Sequence, residues 1–302
     1  MDRKHLAALF VIVMAFGALP FLASSSSAGE TVDRVGGVDP AQGLWFLDGE
    51  LGVTTFYYGN PGDYPILGDW DCNGTQTPGM YRQSDGFVYL RNANSQGVGD
   101  IRFFFGNPGD IPLAGDFNGD GCDTVSIYRP AEARAFIINE LGENEGGLGQ
   151  ADVAYFFGNP GDKPFVGDFD GDGVETVGLH RESTGLVYFR NSHTQGVADR
   201  AFIFGDPGDR LVAGDWNGDG TDSPALFRPS NNTWYLRYTN TQGVADETIQ
   251  WGQPAWLPVA GAFGVLVPTP STTTTTTTTV AGGNTFGDGR WLVGTDFAPG
   301  VY

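Results

Sequence analysis

Basic side chains are scarce in this chain of 302 residues: 16 Lys and Arg stand against 36 Asp and Glu, a net charge of −20. Such a surface repels nucleic acid and anionic membranes, so both are excluded as partners, while cations and neutral or basic partners remain open. Methionine occurs three times and glycine 47 times, a balance that speaks against helical bundles and for strands and tight turns. Histidine occurs three times. No G-x-S-x-G, H-E-x-x-H or phosphate-binding loop is present, which removes common signatures of hydrolases and nucleotide-using enzymes.

A long apolar run occurs in one place only. Arg3, Lys4 and His5 precede an apolar run over 6–22 and a small-residue stretch over 23–29, the layout of a secretory signal over 1–28, cleaved after Ala28. An uncleaved N-terminal anchor is the alternative, because the run approaches spanning length. The expected location is therefore secreted or cell surface. No Cys follows the run, so a lipoprotein anchor is not expected. Export places Cys72 and Cys122 in an oxidising compartment where pairing is allowed. They sit at different positions of two neighbouring repeat loops, so the repeat does not imply a bridge. Two small residues tolerated in turns are the alternative.

What is abundant is repetition. The turn G-N-P-G-D begins at Gly59, Gly106 and Gly158, returns as G-D-P-G-D at Gly205, and decays to G-Q-P-A-W at Gly252. Each of the first four is followed by an acidic segment, starting at Gly68, Gly115, Gly167 and Gly214, at spacings of 47, 52 and 47 residues. One period contains four runs of strand composition, at 78–82, 87–92, 101–105 and 111–114, rich in aromatic and β-branched residues and separated by Gly, Pro, Asn and Asp. Four strands in such a period is the signature of a propeller blade, whose two faces both pack on neighbours. The chain enters with strands at 44–47, 54–58 and 64–67 and ends with 262–267, where a fifth first strand belongs. The fold expected is an all-β propeller of about five four-stranded blades over 40–267, closed by 262–267. An open stack, or four blades with a frayed end, is the competing count. A Thr-rich linker over 268–284 cannot bury a core, and 285–302 is too short to fold alone.

The D-x-[DN]-G-D-G loop, followed by an apolar strand ending in Tyr81-Arg82, Tyr128-Arg129, His180-Arg181 or Phe227-Arg228, resembles the FG-GAP or VCBS-type propeller repeats of secreted bacterial proteins. The resemblance covers 44–267. It implies a propeller that binds Ca2+ in its loops and serves adhesion or ligand binding, alone or beside an enzyme domain. The ending at 288–302 resembles the start of a small actinobacterial surface module, whose remainder is missing.

Chemistry gives a compatible reading of the loops. Calcium takes six to eight oxygens, and acids at alternate positions of a tight Gly-containing loop point inward together. The candidate ligands are Asp69, Asp71 and Asn73; Asp116, Asn118 and Asp120; Asp168, Asp170 and Asp172; and Asp215, Asn217 and Asp219. The first set has fewer charges than the third and carries Cys72 where its relatives have Gly, so it ranks weakest. The family pattern places an Asp at the ninth position, where Thr77, Thr124, Thr176 and Ser223 stand; Gln76, Asp123, Glu175 and Asp222 lie one residue earlier. The alternative is that the loops are Asx-turns without metal.

No nucleophile and base stand out together from the repeat. His180 replaces the aromatic residue of its strand, His193 lies in a repeated turn, and both read as ordinary repeat variation. Arg82, Arg129, Arg181 and Arg228 are expected in ion pairs between blades. Asp63, Asp110, Asp162 and Asp209 are expected to form turns. Trp45, Trp70, Trp216, Trp234 and Trp251 are expected in the core. The reading is a monomeric, non-enzymatic calcium-binding propeller for an unknown extracellular glycan or protein ligand. A propeller enzyme or accessory domain acting with calcium on a polyanionic, phosphorylated or polysaccharide substrate is the alternative.

Overall fold

The computed structural model describes residues 32–142, 147 and 149–264. The expected signal over 1–28, the Thr-rich linker and the C-terminal fragment lie outside them. The described residues form five four-stranded antiparallel sheets arranged in a ring, a five-bladed β-propeller. The first blade is β1 (Arg34–Asp39), β2 (Leu44–Gly49) and β3 (Gly52–Tyr57), completed from the far end of the array by β20 (Leu257–Gly261). The second is β4 (Tyr64–Gly68), β5 (Thr77–Arg82), β6 (Phe87–Leu90) and β7 (Ile101–Phe104). The third is β8 (Ile111–Gly115), β9 (Thr124–Arg129), β10 (Arg134–Ile137) and β11 (Val153–Phe156). The fourth is β12 (Lys163–Gly167), β13 (Thr176–Arg181), β14 (Leu186–Phe189) and β15 (Arg200–Ile203). The fifth is β16 (Arg210–Gly214), β17 (Ser223–Arg228), β18 (Thr233–Leu236) and β19 (Glu247–Gln250).

The innermost strands β4, β8, β12, β16 and β20 touch in succession around a central channel. Each is an edge strand with one partner, which is why Pro65, Pro112, Pro164 and Pro258 are accepted in them without a lost ladder bond. Hydrophobic cores lie between blades. Leu113, Tyr128 and Ile137 of the third blade pack with Val177 and Leu179 of the fourth. Leu47, Leu90, Ile137 and Leu179 are fully buried, each contributing about 1.5–3 kcal/mol. Trp45, Trp70, Trp216 and Trp234 are buried as expected, and Trp251 is half-buried.

Closure corrects the expected strand phase. The ring is closed, but by β20 pairing with β1, Gly36 opposite Val259 and Val38 opposite Leu257, not by 262–267. Ala262, Phe263 and Gly264 lie in no strand, and 265–267 fall outside the described residues. L-P-V-A-G in β20 repeats the pattern I-P-L-A-G of β8, so the closing element is an innermost strand. The run 64–67 accordingly opens the second blade instead of finishing the first.

The Arg residues are also paired differently from expectation. Arg82, Arg129, Arg181 and Arg228 bind Asp63, Asp110, Asp162 and Asp209 of the same blade, through two guanidinium nitrogens each. These aspartates are buried, and each also accepts the N–H three residues earlier, closing the G-x-P-G-D turn. The pairing is within blades because the turn delivers its Asp to the start of the innermost strand, beside the end of the second. In the first blade Trp256 and Asp39 occupy these two positions, and Trp256 instead stacks on Phe46, ring centroids 4.2 Å apart.

Cys72 and Cys122 form a disulfide between the acidic loops of the second and third blades. Cys72 takes φ 60°, where the equivalent Gly119, Gly171 and Gly218 have φ 75°, 75° and 73°. The bridge spans a sequence separation of 50 residues, a closure worth about 4 kcal/mol in the chain-entropy view, or roughly 8–16 °C in melting temperature for a domain of this size. Reduction should lower the melting temperature by about that amount. The Cys72→Gly/Cys122→Thr variant, which restores the residues of the fifth-blade loop, should lose less because it relieves the left-handed Cys. Identical melting of the oxidised and the fully reduced protein would contradict this.

Candidate metal centre

The four predicted loops connect the innermost strands β4, β8, β12 and β16 to the second strands of their blades. In the third-blade loop Asp116 accepts the N–H of Gly119, Asp120 and Gly121 at 2.7, 3.1 and 2.7 Å. Asp168 and Asp215 do the same for their own loops. Asp69 accepts Asn73 and Gly74. The third candidate of each loop accepts the N–H two residues on, as Asp172 does from Val174 at 2.9 Å. First and third candidates therefore combine an Asx-turn with an orientation toward the loop interior.

The second candidate separates the loops. Asn118 and Asn217 donate Nδ2 to Asp120 and Asp219 at 2.9 and 3.0 Å, so an amide lies against the carboxylate a cation would need. In the first loop Asp71 is exposed and carries no described hydrogen bond. Only at Asp168, Asp170 and Asp172, among the described residues, do three such groups offer ligand atoms within 4.8 Å of one another. This set fits a hard divalent cation: three carboxylates on a Gly-hinged loop, open to further oxygen ligands. Burial, and then the charge of Asp172, raises the Asp170 carboxyl above its usual range, although Asn191 donates to it at 2.8 Å. Of the ninth-position hydroxyls, Thr124 and Ser223 donate to the Ile138 and Arg237 carbonyls inside their blades, Thr77 donates to the Gly68 carbonyl, and Thr176 Oγ1 has no hydrogen-bond partner.

No family model matches the chain, and no curated protein matches it.

The residues preceding the second strands build a further feature. Asp123 Oδ2 accepts the N–H of Asp69 at 2.7 Å, Asp222 that of Asp168 at 2.9 Å, and Asp33 that of Asp215 at 2.9 Å. The Asp222 and Asp33 side chains lie on the last glycine of the adjoining innermost strand, whereas Trp70 covers the corresponding Gly68 beside Asp123. A Cβ on Gly214 would meet Asp33 Oδ2 at 2.9 Å, and one on Gly167 would meet Asp222 Oδ2 at 3.0 Å. Glu175 covers Gly115, and Gln76 covers Gly261. Four acids and one amide thus ring the end of the channel. Asp33 went unread as a site residue because the propeller was expected to start later. The signal was present: an acid directly before an apolar strand, as at Asp123, Glu175 and Asp222.

Burial pushes these carboxyls up, and the charge of neighbouring acids, the loop aspartates among them, adds to it: Asp33 and Asp123 to about 6, Asp222 to about 8, and Glu175 well above its usual range. The folded pKa values exceed the unfolded ones, so the folded state holds more protons between about pH 4 and 8. The associated stability is fully present below about pH 4 and is lost as pH rises through 6 and then 8, by at most about 1.4 kcal/mol per pH unit for each titrating group. In chelator, the melting temperature should rise as pH is lowered from 8 to 5.5. Asp222→Asn should flatten part of that slope and melt higher than wild type at pH 8. A melting temperature that is constant or falls over that range would refute the account.

Proposed function

We propose that this chain is an exported, calcium-binding β-propeller that binds an extracellular glycan or protein rather than catalysing a reaction. The observation that carries the reading is the convergence of Asp168, Asp170 and Asp172 in one loop. Without a cation their carboxylates repel; a bound cation reverses the sign of that interaction. The FG-GAP or VCBS-like repeat and the leader-like segment over 1–28 support the same reading. The histidines favour binding over hydrolysis: His193 Nε2 contacts the Phe117 carbonyl oxygen, and the His180 nitrogens bond neither a hydroxyl nor a carboxylate.

The proposed cation also braces more than its own loop. Asp170 is tied to Asn191 in the β14–β15 connection, and Asp168 to the next blade through Asp222. Occupancy therefore stiffens one face of the fourth and fifth blades, a preorganised surface for a partner.

Extracellular modules bind calcium at roughly 10⁻⁴ to 10⁻³ M. At about ten times the dissociation constant one site adds about 1.4 kcal/mol, or roughly 3–6 °C. Chelation should lower the melting temperature by that amount. Asp168→Ala and Asp172→Ala should remove most of the response, while Asp63→Ala should melt lower in both conditions and keep it. Wild-type melting curves that coincide in excess calcium and in chelator would leave the Asx-turn reading standing.

A further inference from the structure

The other end of the channel holds a different group of side chains. The innermost strands begin there at Tyr64, Ile111, Lys163, Arg210 and Leu257, around a cavity of about 330 Å³, the lower end of the range for small-ligand sites. His180, opposite Lys163 in the strand register, borders this cavity. At its position the second, third and fifth blades carry Tyr81, Tyr128 and Phe227. The two tyrosines donate their hydroxyls to the Asn107 and Phe157 carbonyls. His180 is 1% exposed, and neither ring nitrogen has a hydrogen-bond partner. Orphaning a buried polar group costs about 1–3 kcal/mol, a penalty that the phenylalanine of the fifth blade does not carry.

The neighbours of His180 have charges to spare. No ion pair among the described residues uses Lys163 or Glu182. Arg210, the next innermost strand's first residue, donates one nitrogen to the Trp256 carbonyl. Tyr64, across the channel, is close enough to feel the charges of Glu182 and Arg210. Burial, against the pull of Asp209 and Asp162, lowers the His180 pKa to about 4, so at neutral pH its ring offers one donor and one acceptor.

We propose that this mouth of the channel binds a small carboxylated sugar, a uronate-type monosaccharide unit, through His180, Lys163 and Glu182. Lys163, with Arg210 beside it, takes the carboxylate. Glu182 takes a hydroxyl, the imidazole takes another once the bound sugar draws its buried ring toward the cavity, and the proline-rich, aliphatic wall of the channel takes the C–H face of the sugar. The proposal rests on the ligand-binding reading above and gives it a ligand class.

The test is calorimetric titration of the calcium-loaded full chain at pH 7 with glucuronate, galacturonate, glucose and hexanoate. A uronate should bind more tightly than glucose or hexanoate. Lys163→Ala should erase the preference over glucose. His180→Phe, which copies the fifth blade, should weaken uronate binding about tenfold or more while the melting temperature holds or rises, a combination that a merely structural histidine would not give. Uronate binding that is absent in wild type, indifferent to both substitutions, or matched by hexanoate would overturn the proposal. A retained calcium shift in melting temperature alongside absent uronate binding would place the failure here and not in the calcium reading.

Discussion

Neighbouring blades are joined by one repeated contact. The residue before a second strand donates its N–H to the carbonyl at the end of the adjoining innermost strand: Asp123 to Asp69, Glu175 to Asp116, Asp222 to Asp168, Asp33 to Asp215 and Gln76 to Ala262, at 2.7–3.1 Å. At three of these joints the side chain returns the bond by accepting the N–H of the partner residue. The joint therefore calls for a side-chain acceptor, and it calls for glycine beneath it. Both demands recur in the G-D-[WF] motif and in the acid that precedes each strand. The fifth joint, Gln76 to Ala262, is made by the same geometry without an acid.

This joint concentrates like charge around the channel. Burial raises the carboxyls of Asp33, Asp123, Glu175 and Asp222, and the charges of one another and of the loop aspartates raise them further, while Asp69, Asp116, Asp168 and Asp215 each take part in a joint through the backbone and fold an acidic loop with the side chain. Loop and joint share a residue, so whatever neutralises the loop also steadies the contact between blades. Protons taken up by the joint acids relieve the same repulsion as pH falls. At neutral pH a divalent cation held by Asp168, Asp170 and Asp172 would do the same, which links the proposed calcium site to the integrity of the ring.

Much of the architecture was legible in the sequence because each blade repeats its turn chemistry. The G-x-P-G-D turns and the acidic loops mark both ends of the innermost strands in the second to fifth blades. What failed was the phase. Strands of similar length and composition follow one another, so cutting the array one strand late still gives five blades. β1 escaped notice because R-V-G-G-V-D lacks aromatics; Gly36 and Gly37 stand there because a Cβ would collide with Leu47, Val259 and Trp256. The disulfide could not be read from repeat symmetry, since Cys72 and Cys122 occupy different loop positions and meet only because adjacent loops are offset. Among the twelve candidate ligands, the decisive difference was Asp170 in place of Asn118 or Asn217: an amide closes its loop with a hydrogen bond, whereas a third carboxylate does not.

The central claim is that this third carboxylate makes a cation site. A crystal structure of the protein in calcium tests it most directly. The account predicts anomalous density between Asp168, Asp170 and Asp172, at 2.3–2.6 Å from their oxygens and stronger than at any other loop. Clear density for the three side chains with no ion among them, at millimolar calcium, would contradict it.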